Sequence, residues 1–423
     1  MSDSIALDCR RTGVQGGWMA WLVCLSAGLF FLYEFFQLNL FDVINEPLRD
    51  DFHLNVAQLG WLSSAYVLAN ILFLLPAGLI LDRFSTRRVI LMAMLVCVIG
   101  TTGFALTSAF VWAYFFHFLA GIGNAFCFLS CVVLVSRWFP ARRQAFLIGC
   151  IVTMAFLGGV IAHTPLAYLT ASYGWRNALL IDAGFGVLIV LWLLMVLQDR
   201  PEAERDDRSA PVHKAPHFMS VLLNKQNGLA GLYTACLNLP IMVLCALWGA
   251  SYLRVVHELP ALAASNVVSL ILVGSMVGCP LVGWISDTMG RRKPVMVVGA
   301  LGTLLTLIPL LIGSTLSAFS LSVLFLALGF FTSTQVIGYA LIAESNSLRN
   351  TGVATGIASV IIMGVGGLGQ VVFGLLMGER SGASTSVGSA LDYQFAMWVF
   401  PLTIVIALIA IGLTRETYCE RLD

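Results

Sequence analysis

The chain has 423 residues, of which 59% are hydrophobic and 11% charged, with a formal net charge of +1. Soluble domains carry about 25% charged residues. Together with a mean hydropathy of +0.91, this composition excludes an ordinary soluble enzyme and gives no basis for a nucleic-acid partner. It points to a chain whose surface is mostly covered by lipid.

The N-terminal stretch MSDSIALDCRRTGVQGG is polar and lacks the apolar core and small-residue cleavage site of a signal peptide. Crossing a bilayer as helix takes about 20 apolar residues. Such runs follow at roughly 18–41, 57–81, 89–109, 111–135, 145–169 and 177–197, then at 228–252, 263–286, 294–313, 318–342, 351–377 and 393–413. The sequence therefore predicts an all-α integral membrane protein with twelve transmembrane helices in two six-helix bundles, residues 1–198 and 228–423. The charged stretch DRPEAERDDRSAPVHKAPHF begins the linker, 199–227.

Basic residues collect on the cytoplasmic side of a membrane protein. With the N-terminus inside, all Lys and Arg except Arg49, Arg176, Arg254 and Arg380 fall in cytoplasmic segments. This predicts cytoplasmic N- and C-termini, in a bacterial inner membrane. The cysteines lie in apolar runs or near the chain ends, so free thiols and no disulfide framework are expected.

The halves repeat one another. GLILDRFSTRR (78–88) follows the second span and GWISDTMGRRK (283–293) the eighth, with Asp82 and Asp287 205 residues apart. WFPARRQAF after span four has a counterpart in NSLRNTGVA after span ten. Repeats of this kind mark transporters that rock about a site near the bilayer midplane. On these motifs, and on GWR (174–176) before span six, the chain resembles the major facilitator superfamily over its full length. The first copy departs from the pattern: Ser85 stands where Gly is usual, and the basic pair Arg87–Arg88 comes one residue late. The second copy keeps Gly290 and the pair Arg291–Arg292, but Thr288 replaces a basic residue. YEFFQLNLF followed by LILDRFSTRR also resembles bacterial phagosomal-type nutrient carriers and related siderophore carriers.

The resemblance implies gating roles for Asp82, Arg83, Arg87 and Arg88, and for Asp287, Arg291 and Arg292. Asp82 would face the start of span eleven near Thr351 and Gly352, where exposed N–H groups and the helix dipole favour a carboxylate. Asp287 and the start of span five would form the related pair. Alternatively, these charges only set topology.

Four ionisable residues lie deep in the predicted spans: Glu34, His117, His163 and Asp182. All belong to the N-terminal half. Intramembrane acids are functional by default, and Glu34, about 24 Å along span one, is the first candidate for proton coupling. Tyr33 and Gln37 share its face, which is expected to point into a cavity. His117, in HFLAGIGNAF, stands where many relatives carry Arg and titrates near neutral pH; a satisfied core histidine is the alternative. His163 is a further coupling candidate. Asp182 reads as a structural partner of Arg176.

Neutral polar residues complete the expected cavity: Tyr66 and Asn70 on span two, Asn124 on span four, Asn238 and Trp248 on span seven, Thr334, Gln335 and Tyr339 on span ten, and Gln370 on span eleven. Helix packing is the competing explanation for each. Pro240 should kink span seven. There is no Walker loop, no metal-ligand cluster and no nucleophile triad, so neither catalysis nor a cofactor or metal is expected.

The reading that fits is a monomeric secondary transporter in the lipid bilayer, moving a small polar organic solute by alternating access with protons as the coupling ion. An amino acid, an organic acid or a siderophore-like nutrient would be imported. The competing readings are a proton-driven efflux antiporter for drugs or metabolites, and a transport-dead sensor.

Overall fold

The computed structural model describes residues 17–54, 56–199, 218–312, 316–381 and 389–421. Among these the fold is all-α, with twelve helical stretches long and apolar enough to cross a membrane. Large apolar side chains such as Leu188, Leu305, Met195 and Leu413 are openly exposed, which suits contact with lipid tails rather than water.

Spans one to six are Trp18–Asp51, Val56–Arg83, Thr86–Leu106, Phe110–Trp138, Gln144–Tyr173 and Trp175–Val196. Span eight is Ala261–Met289, span nine Lys293–Leu311 and span eleven Thr351–Ser381. Polar caps start several of them. Ser85 caps span three, Asn224 span seven and Ser317 span ten, while Ser389 and Asp392 form a capping box on span twelve.

Three spans are interrupted. Span seven runs as α-helix over Lys225–Pro240, as π-helix over Ile241–Trp248 and again as α-helix over Gly249–Val256. The expected kink at Pro240 is thus a two-turn π segment, a form concentrated at functional sites. Span ten breaks between Ala318–Thr332 and Gln335–Glu344. The hydroxyls of Thr332, Ser333 and Thr334 bond to carbonyls three or four residues back, competing with the helix there. Span twelve breaks at Trp398, between Ala390–Met397 and Val399–Leu413.

The chain groups into two compact units. The first holds residues 1–140, 154–218 and 347–356; the second holds 141–153, 219–346 and 357–423. The opening turns of spans five and eleven thus each belong to the opposite unit from the rest of their helix.

Candidate functional site

In the first unit, Glu34 is fully buried. Its Oε2 accepts the Tyr66 hydroxyl at 2.7 Å, and Oε1 has no hydrogen-bond partner. The Cys97 thiol lies against the same carboxyl. Space for the acid comes from Gly123, where a Cβ would stand 3.3 Å from Glu34 Oε1. The Tyr66 ring lies on that of His117, centroids 5.4 Å apart, and Phe104 stacks on the imidazole's ring at 5.1 Å.

Tyr33 and Gln37 do share a helix face with Glu34. That face is packed inside the unit rather than open to a cavity: the three side chains are 1%, 3% and 0% exposed respectively. Their partners sit on spans two, three, four and six. The reason is chemical, because phenol and amide donors solvate the buried acids in place of water. Both Tyr33 and Gln37 turn to Asp182. The Tyr33 hydroxyl donates to Asp182 Oδ2 at 3.3 Å, and the Gln37 amide donates to the same oxygen.

Asp182 therefore does not pair with Arg176, as the sequence suggested. Arg176 forms its ion pair with Asp51 at 2.7 Å and donates to the carbonyls of Ala105 and Thr107. Its guanidinium also lies 4.3 Å from the Trp175 ring centroid. The GWR motif thus ties the ends of spans one, three and six together. His163 lies on span five, but its side chain is outside the described residues.

At the other end of this unit, Asp82 caps the first turn of span eleven. Its two oxygens accept the backbone N–H groups of Gly352 and Val353, each at 2.8 Å. Arg83 and Arg88 are exposed. Arg87 donates its backbone N–H to Asp199 at 2.7 Å and its guanidinium to the Leu194 carbonyl. The Ser85 hydroxyl also donates to Asp199, at 2.5 Å. The departure at Ser85 thereby becomes intelligible, since the serine caps span three and fastens it to the segment after span six. Asn70 Oδ1 is buried without a partner, and Asn124 Oδ1 accepts the Cys127 thiol.

The second unit repeats the acid-to-helix contact with one addition. Asp287 accepts the N–H of Phe146, at the start of span five, at 2.9 Å, and its other oxygen pairs with Arg292 at 2.6 Å. Arg292 is fully buried. It also pairs with Glu344 at 2.5 Å and donates to the Ala141 carbonyl. Burial opposes this charge, yet Glu344 and Asp287 hold the guanidinium above the ordinary arginine range. Glu344 stands at the end of span ten, where no motif in the sequence marks it.

The C-terminal segment completes this cluster. Glu416 accepts the N–H groups of Arg292 and Lys293 at 2.8 and 2.9 Å, and the Thr417 hydroxyl donates to Glu344. Lys293 Nζ donates to the Thr414 carbonyl at 2.7 Å, and Arg291 lies over the Tyr418 ring.

Elsewhere in the second unit, the Tyr233 hydroxyl meets the Met296 carbonyl and Thr334, and Thr234 donates to the Gln335 carbonyl. Tyr339 bonds to Ser359. Gln370 donates to the Met242 carbonyl at 2.7 Å, inside the π segment. The Trp248 ring packs on Phe373, and its indole N–H is buried without a partner. Asn238 is buried on span seven beside Pro240. Among the described residues there is no group of three or more His, Cys, Asp or Glu placed to hold a metal.

Twelve apolar spans and the repeated acid–helix contact are the architecture of a membrane carrier. The family model for the Major Facilitator Superfamily matches residues 23–368 and 257–418, and the chain belongs to that family of secondary transporters. The gallate transporter of Pseudomonas putida is 25% identical over 93% of this chain and 92% of its own length. The probable galactarate/D-glucarate transporter GudP of Bacillus subtilis is 23% identical over 86% and 87%. Among solved structures, the proton:xylose symporter XylE superposes with a TM-score of 0.75 at 15% identity, covering 95% of this chain and 97% of its own. FucP in the outward conformation gives 0.73 at 17% identity, covering 93% and 97%. These two likenesses establish the fold.

Proposed function

We propose that the protein imports a small organic acid together with protons, with Glu34 as the coupling acid. The observation that carries this reading is a fully buried carboxyl at membrane depth whose partners are all neutral. An uncompensated carboxylate there costs several kcal/mol, roughly, so the group is best accommodated as an acid that takes up and releases a proton. The groups around it also favour a proton over sodium. Phenol and amide donors point at the two acids, whereas a metal ion would need lone pairs turned inward.

Organic acid is the substrate class named for the relatives that span most of this chain. The middles of the spans carry no Lys or Arg, so co-transported protons, rather than a fixed cation, would balance the anion. Asp82 and Asp287, with the arginines that follow them, would serve as gating contacts at the cytoplasmic ends of the helices, in a bacterial inner membrane.

The test is uptake of labelled D-glucarate, galactarate and gallate by cells producing the protein. Uptake should rise with external acidity and stop on addition of a protonophore. Glu34→Gln should still bind substrate in a thermal-shift assay but lose uphill accumulation. An unchanged pH profile in Glu34→Gln would reject the coupling role, and a protonophore-induced rise in cell content would reverse the direction.

A further inference from the structure

Asp182 has the same kind of surroundings as Glu34. It sits two turns into span six, 6% exposed, and its two donors among the described residues, Tyr33 and Gln37, both go to Oδ2. In Glu34, likewise, the Tyr66 donor goes to one oxygen, Oε2, while Oε1 has no hydrogen-bond partner and the Cys97 thiol lies against the carboxyl. Each acid thus has one oxygen held by neutral donors; the other oxygen of Glu34 is buried without a hydrogen-bond partner, and neither Tyr33 nor Gln37 reaches Asp182 Oδ1. Neither forms an ion pair among the described residues.

The two are linked through span one. Tyr33 precedes Glu34 by one residue and Gln37 follows it by three, so the groups that hold Asp182 flank Glu34 on its own helix. The titratable groups around the pair are Tyr33 on span one, Tyr66 on span two, Cys97 on span three and Cys127 on span four. His117 meets the pair through the Tyr66 ring. The place is also built: a Cβ at Gly186, one turn beyond Asp182, would lie 2.7 Å from the Tyr33 hydroxyl oxygen. Two carboxylates in one low-dielectric site repel each other, so the two acids cannot both be ionised without cost.

We propose that Asp182 is a second proton-binding group of the transport cycle, joined to Glu34 through Tyr33 and Gln37, so that two protons accompany each substrate. This rests on the reading of Glu34 as the coupling acid.

Two measurements test it. Infrared titration of the purified protein in lipid, from about pH 5 to about pH 9, reports protonated carboxyls through their C=O stretch and needs no substrate. Asp182→Asn should remove one band that Glu34→Gln leaves in place, and Gln37→Leu should shift that band without abolishing it. If Asp182→Asn removes no band, Asp182 is ionised throughout and the proposal fails.

The second measurement uses vesicles at zero membrane potential, with gallate or D-glucarate as the probe. One pH unit is worth about 1.36 kcal/mol per proton. A gradient of one unit then supports up to about 100-fold accumulation with two protons and about 10-fold with one. Wild type should approach the first limit and Asp182→Asn the second. Equal limits in the two proteins would overturn this inference while leaving Glu34 as the coupling acid. Should wild type accumulate neither probe, the organic-acid reading fails, and the infrared result alone decides for or against Asp182.

Discussion

In the first unit, two carboxyls at membrane depth, Glu34 and Asp182, are held by phenols and an amide. In the second, Asp287 and Glu344 close on a fully buried arginine near the end of the helices. Both units also use an Asp to cap the first turn of a helix, span eleven in one and span five in the other. The buried acids Asp287 and Glu344 of the second unit are thus compensated by a cation, whereas Glu34 and Asp182 of the first are not. Compensated charge resists a change of protonation, because each group stabilises the ionised form of its partner. Uncompensated acids leave room for protons to come and go.

The contrast can be broken most severely at Arg292. Arg292→Met would leave Asp287 and Glu344 buried without their cation, a loss of about 3–5 kcal/mol. The expected result is little monodisperse protein in size-exclusion chromatography, with recovery when Glu344→Leu is added. In the first unit the acids can instead be removed at little cost in stability. Glu34→Gln and Asp182→Asn should unfold within a few degrees of wild type while changing the pH dependence of uptake. Crowding the acids is a harsher test of the same place. Gly186→Ala pushes a methyl against the Tyr33 hydroxyl, which overpacking data put at about 1–3 kcal/mol. A lowered unfolding midpoint and weakened uptake should appear together, and a neutral result would show that the Tyr33–Asp182 contact is dispensable.

Smaller effects should follow at the helix caps. Asp82→Asn keeps the shape and removes the charge from the start of span eleven, worth about 0.3–1 kcal/mol. The unfolding midpoint should fall slightly, and less than for Gly186→Ala. The smallest effect should come from His257, between spans seven and eight. Its ring accepts the Leu316 N–H at Nδ1 and meets the Tyr252 hydroxyl at Nε2, and burial holds its pKa below the ordinary histidine value. The unfolded chain therefore binds this proton first as pH falls, so stability is full above about pH 6.5 and declines below it. Replacing His257 with Gln should flatten that acid limb of the unfolding midpoint.

Much of the architecture was legible because a lipid-facing helix must be apolar for its full length. The spans, the paired halves and the capping aspartates are local or repeated signals. The π segment was not legible. Pro240 announces an interruption, but its form depends on Gln370, which reaches the Met242 carbonyl from 128 residues away. A pairing of Asp182 with Arg176 conflicts with helix geometry. Six residues at about 100° each place the two on well-separated faces of span six. Tyr33, Glu34 and Gln37 lie on one face by spacing alone, but what that face packs against is not local information, since Asp182 and Gly186 are brought to it only by the fold. Glu344 escaped notice at the end of its span, with its partner Arg292 52 residues back in the sequence.

The nine described cysteines are free thiols, seven buried and two half-buried within spans. Burial pushes the Cys419 thiol, outside the spans, up to about 12, where almost no thiolate exists at neutral pH. To a water-borne alkylating reagent the described part of the molecule is close to silent. Once Cys9 is replaced, a cysteine at exposed Leu348, four residues before Gly352, would stand out against that background. Its labelling rate, followed as substrate and pH are varied, would then clock the making and breaking of the Asp82 cap in the working carrier.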